Sequence, residues 1–105
     1  MGVVTITGVG SVNTEVVASL TDPEGIKSIT SYQWFWSPNS DLSTKNDIAN
    51  ATTNKLLITK DLVNTFVNVK ITYEDNKDNI VTDLISADTV AVSYTHLTLP
   101  TSPKV

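Results

Sequence analysis

Ser31-Tyr32-Gln33-Trp34-Phe35-Trp36-Ser37 is the most aromatic run in the chain and holds both tryptophans. Read as a strand, it places Tyr32, Trp34 and Trp36 on one face and Gln33 and Phe35 on the other. A strand face made of such large rings must be covered by a second layer. The run is therefore expected to be the central strand of a β-sandwich, with Trp34 in the middle of the core.

The flanking sequence supplies the other strands. Upstream, Thr14–Leu20 alternates, with Val16, Ala18 and Leu20 inward, and Val3–Thr7 is a short β-rich run closed by Gly8 and Gly10. Between Leu20 and the aromatic run, Thr21-Asp22-Pro23-Glu24-Gly25 has turn chemistry, with a proline for fixed φ and a glycine for φ > 0. Downstream, residues 38–54 are polar. Ile48 is their one clear apolar anchor, and a brief edge strand is expected near Asp47-Ile48-Ala49. Asn54–Thr59 is read as a strand with Leu56 and Ile58 in the core, followed by a corner at Asp61–Asn64.

Thr65–Tyr73 has the cleanest alternation in the chain. Val67, Val69, Ile71 and Tyr73 point inward, and Asn68, Lys70 and Thr72 outward. Asp75–Asn79 is a polar hairpin turn, and Ile80–Val92 a last strand interrupted around Ser86-Ala87-Asp88. About seven antiparallel strands with no helical stripe define an all-β chain, an immunoglobulin-like β-sandwich.

Composition agrees. The 105 residues suit a single core, and the abundance of Val, Ile and Thr favours strands. A net charge of −4 without a basic run argues against a nucleic-acid partner. No apolar run reaches the ~18 residues of a membrane span, so membrane insertion is not expected. The start, Met1-Gly2-Val3-Val4-Thr5, lacks the pattern of a signal peptide. The chain has no cysteine, which excludes disulfides, thiolate metal sites and cysteine nucleophiles. With no glycine-rich phosphate loop either, and carboxylates paired only in turns, an enzyme is not expected.

The run Val92-Ser93-Tyr94-Thr95-His96-Leu97-Thr98-Leu99-Pro100-Thr101 resembles the in-frame translation of the adapter left by transposase-based sequencing libraries. The codons GTC TCT TAT ACA CAT CTG ACG CTG CCG ACG reproduce all ten residues in order. Residues 1–92 are accordingly read as the domain and 93–105 as an adapter translation or non-native tail. The single histidine, His96, falls in that tail and is given no role. A Thr/Pro-rich linker between tandem domains is the alternative reading of the same residues.

Three segments in order carry a family resemblance: Leu20-Thr21-Asp22-Pro23-Glu24-Gly25, then Tyr32-Gln33-Trp34, then Ile48-Ala49-Asn50-Ala51-Thr52. With Leu56–Asp61 and Val69-Lys70-Ile71-Thr72-Tyr73-Glu74-Asp75, they resemble the Ig-like (cadherin-like) tandem repeats of large bacterial surface adhesins. The resemblance spans residues 2–92. It implies a stalk spacer or adhesive module in an extracellular or cell-surface protein, with neighbouring repeats of the same polypeptide as partners. It also implies a host or surface glycan or protein as the ligand of the whole assembly, and calcium at repeat junctions as a cofactor. Where the family often has Gly in the corner before the Thr65–Tyr73 strand, this chain has Asn64, which also tolerates the left-handed region.

Calcium needs six to eight hard oxygen ligands. Asp22 and Glu24 in one turn, and Asp75, Asn76 and Asp78 in another, are the candidates, because these two loops share one end of an Ig-like sandwich. The same residue types also serve turn geometry and solubility. Phe35, facing away from Trp34, is the candidate for stacking on a sugar, as in an accessory carbohydrate-binding module of a secreted hydrolase. Asn50-Ala51-Thr52 is a formal glycosylation sequon, but Asn50 is read as a turn residue. The expected core is Tyr32, Trp34, Trp36, Leu56, Ile58, Val67, Val69, Ile71 and Tyr73.

Overall fold

The computed structural model describes residues 2–94, and these form two antiparallel sheets packed face to face. The first sheet has strand order β1-β2-β5: β1 (Val3–Thr7), β2 (Glu15–Thr21) and β5 (Lys55–Leu57). The second has order β4-β3-β6-β7: β4 (Asn46–Asp47), β3 (Ile26–Ser37), β6 (Phe66–Asp75) and β7 (Ile80–Ile85). The two-residue β8 (Val90–Ala91) pairs β6 beyond the end of β7. The fold is all-β and consistent with an Ig-like sandwich. Among the described residues, no helix is long and apolar enough to cross a membrane.

The aromatic run occupies the second half of β3 and pairs in register with β6, Trp34 opposite Val69 and Trp36 opposite Val67. Trp34 is fully buried, and its indole Nε1–H donates to the Thr53 carbonyl at 2.8 Å. Burying its one polar atom with a partner lets a side chain this large contribute roughly 1.5–3 kcal/mol or more. Val4, Ile6, Val16, Ala18, Leu56 and Ile58 cover it from the first sheet and its edges, and Val67, Val69, Ile71 and Tyr73 surround it in its own. All of these inward assignments match the alternation. Tyr32 and Trp36 are half-buried and pack against the core from its margins.

The first half of β3, Lys27–Ser31, is exposed. Register slips between Ile26 and Ser28, and again between Ile29 and Ser31, mark bulges that twist this end away.

Two outward residues are corrected by the structure. Phe35 and Asn68 face each other across β3 and β6 on the side away from Trp34, yet both are fully buried. The outer face is covered at this point. The Lys70 Nζ lies over the Phe35 ring, 5.8 Å from its centroid, and Asn68 is tied to Ser86 and Thr89 of the crossing edge.

That edge is the interrupted last strand. β7 pairs with Lys70–Glu74 and β8 with Phe66–Val67, and the residues between them loop out. The single strand expected over Ile80–Val92 is thus two, broken at the residues expected. Asn68 fills the break. Its Nδ2 donates to the Ser86 carbonyl at 2.8 Å and to Thr89 Oγ1 at 3.0 Å, and its Oδ1 accepts from the Ser86 N–H at 3.2 Å.

After β1 the chain crosses to the second sheet. Ser11 forms a parallel bridge with Ser93, and the Ser93 N–H donates to the Gly10 carbonyl at 2.8 Å. A side chain at position 10 would fall on the Ala91 carbonyl oxygen, so only glycine allows this approach. At the same end the Lys60–Leu62 3₁₀ turn makes the expected corner, with Asn64 at φ 69°. Residues 95–105, including His96 and most of the adapter-like run, lie outside the described residues.

Candidate functional site

The acidic residues proposed for calcium sit on the loops at the β6–β7 end of the sandwich. Asp22 opens the turn between β2 and β3: its Oδ1 accepts from the Glu24 N–H at 2.8 Å, and its carbonyl from the Gly25 N–H at 2.8 Å. Gly25 takes φ 84°, as the turn requires. Asp75 organises the opposite loop. Its Oδ1 accepts from the Lys77 N–H at 2.8 Å and the Asn79 N–H at 2.9 Å, and its Oδ2 from Asn79 Nδ2 at 3.3 Å. Asp78 takes φ 64° to close that hairpin.

The two loops meet, as the shared-end argument anticipates. A Cβ at Gly25 would strike the Asn76 side chain, and one carboxylate oxygen from each of Asp22, Glu24 and Asp75 lies within 4.8 Å of the others. Asp78 is not brought in. It pairs with Lys27 at 2.8 Å, and Lys27 also reaches Glu74 at 3.5 Å. Asn76 packs on Gly25 at the rim. Three of the four proposed carboxylates therefore converge, each with one oxygen in the cluster, where calcium takes six to eight.

Below the cluster, Tyr73 joins the loops to the start of β1. Its hydroxyl donates to Asp22 Oδ2 at 2.7 Å and accepts from the Gly2 N–H at 2.7 Å. That hydroxyl, followed by the Glu24 N–H, holds the Asp22 carboxyl below its ordinary value of 3.8. The Asn79 backbone N–H does most to lower Asp75, with Lys77 adding to it, against the opposing cost of burial. Burial first, and the bond to Asp22 second, raise Tyr73 above 10.0. Both aspartates are therefore carboxylates at neutral pH, and internal donors already engage them.

Phe35 offers no ring to a sugar, because it is fully buried. Alternation assigned its face correctly but did not reveal that the face is covered. Asn50 takes φ 63° in the turn in which the Ala51 N–H bonds the Ile48 carbonyl, consistent with a turn residue. The roles of Asn68 and of the Tyr73 hydroxyl were missed. The one signal for Asn68 was a polar residue in an apolar strand opposite an expected strand break.

No family model, curated protein or solved structure matches the chain.

Proposed function

We propose that this chain is an Ig-like structural module, a spacer of the tandem-repeat kind found in large bacterial adhesins, working outside the cell or at its surface. The supporting observation is where the chain crosses the ends of the sandwich. Gly2 is held against Tyr73 at one end of β6, whereas Val92 bonds both Asn64 and Thr65 just before the other end. With a rise of roughly 3.3 Å per residue, Tyr73 and Phe66 stand about 23 Å apart along β6. A chain that comes in at one end and leaves at the other strings modules in line. Neighbouring modules of the same polypeptide are the partners this arrangement serves.

Sequencing the source locus past the codon for Ala91 tests the reading. An adjoining module with its own aromatic central strand is the expected result. An adjoining catalytic domain would overturn the spacer reading in favour of an accessory module.

Calcium is the second reading, favoured by the convergence of Asp22, Glu24 and Asp75 at the end where Gly2 comes in. The three carboxylates would hold one side of the ion, and a preceding module or water would complete its shell. Millimolar calcium is expected to raise the melting temperature by a few degrees, reversibly with a chelator, since a ligand of the native state stabilises it. No shift in either the isolated module or a two-module chain would remove calcium from the account.

A further inference from the structure

An opening lies where the two sheets gape between their short edge strands, β4 and β5. It is a cleft of about 400 Å³. Trp36, Ile48, Leu56, Leu57 and Leu62 make its walls apolar, and Leu57 remains 52% exposed. Asp47, Thr59 and Asp61 supply its polar lining. Lys70 engages Asp47 at 3.1 Å, whereas Asp61 has no ion pair or hydrogen bond to its side chain among the described residues. The Thr59 hydroxyl does not cap the 3₁₀ turn it precedes, and the Trp36 indole N–H has no acceptor among the described residues.

We infer that this cleft takes a lysine or arginine side chain from an extended segment of a partner protein, a role beyond that of a spacer. An aliphatic wall beside a carboxylate suits a side chain with an apolar stem and a cationic head. The indole adds attraction for the same cation, and of the two carboxylates in the described lining Asp47 already holds Lys70, which leaves Asp61 for the incoming charge. The edge strands fix the form of the partner. Among the described residues β4 pairs only with β3, and β5 only with β2, so each keeps backbone groups facing outward for an incoming extended chain. A saccharide fits less well, because most of the wall is aliphatic rather than flat and aromatic.

The test is a titration of the full chain, followed by amide and indole N–H chemical shifts. The probes are acetyl-Val-Lys-Val-amide and the same peptide with norleucine in place of lysine. The lysine peptide should move the Trp36 indole and the Thr59–Leu62 amides saturably, and the norleucine peptide should bind more weakly. Asp61→Asn should weaken the lysine peptide about two- to fivefold, the size of a partly exposed ion pair, without changing the melting temperature. Equal binding of the two peptides would overturn the proposal, as would binding indifferent to Asp61→Asn. Absence of shifts at these positions, or the same shifts with a neutral disaccharide, would do so as well.

Discussion

The Asn68 side chain bonds both backbone groups of Ser86, donating to its carbonyl at 2.8 Å and accepting from its N–H at 3.2 Å. One side chain thus does the work of a missing strand residue at the break between β7 and β8. The same Oδ1 also accepts from the Val69 N–H at 2.7 Å.

Asn68→Ala leaves these buried groups without partners and is expected to cost about 2–3 kcal/mol in urea denaturation. Asn68→Asp keeps the acceptor but turns a carboxylate oxygen onto the Ser86 carbonyl. It should cost at least as much at neutral pH and recover part of the loss in acid.

Tyr73→Phe removes the hydroxyl that joins Gly2 to Asp22 while keeping the ring in the core. The expected loss is about 1–2 kcal/mol. Carboxyl chemical shifts followed against pH should show the Asp22 midpoint moving up toward 3.8, because its strongest stabilising donor is gone.

Stability should be flat from neutral pH down to about pH 5 and fall as the pH drops through 4 and below. The sign follows from the lowered native values of Asp22 and Asp75. Between the native and unfolded values the unfolded chain binds more protons, so acid favours unfolding. At the alkaline end Tyr73 acts in the opposite sense: its raised native value means the stability it contributes is lost as the pH climbs past 10. Asp75→Asn should flatten the acid limb in a melting-temperature profile, and Tyr73→Phe the alkaline one.

Trp34→Ala should cost about 3–5 kcal/mol, because the cavity opens where both sheets meet. Loss of the cooperative thermal transition is the expected observation.

Gly10→Ala places a methyl group on the Ala91 carbonyl oxygen and is expected to cost about 1–3 kcal/mol. Val9→Ala, one residue before, trims a largely exposed side chain, leaves the backbone bridge to Ser93 intact and should cost less. Comparing the two melting temperatures checks the assignment of the approach to Gly10.

The inward residues could be read from the sequence because each strand buries one face, so period-2 patterning carries the information directly. Val67, Val69, Ile71 and Tyr73 show this most clearly. The turns were equally legible, since Gly25 and Asn64 stand where φ must be positive. Phe35 and Asn68 were not, because alternation assigns a face and says nothing of what crosses over it. Their burial depends on Lys70 and on Ser86 and Thr89, residues of another strand and of a break distant in sequence. The convergence of Asp22, Glu24 and Asp75 followed from fold topology, but Asp78 was lost to Lys27 through rotamer-level geometry that no spacing encodes.

The crossing of Gly10 and Ser11 onto Ser93 also has a mechanical side. β1 and the β7–β8 edge run in the same direction, and Gly2 and Ser93 lie at opposite ends. Tension between these points pulls the two segments past each other, so the Ser93 N–H bond to the Gly10 carbonyl is loaded in shear. The Val92 N–H, bonded to the Thr65 carbonyl, shares the load at once instead of waiting its turn, as it would in a hairpin peeled from one end. These are backbone bonds, indifferent to which side chains follow Ala91. Resistance to stretching thus resides in the path of the chain, and Gly10 is where that path is tightest.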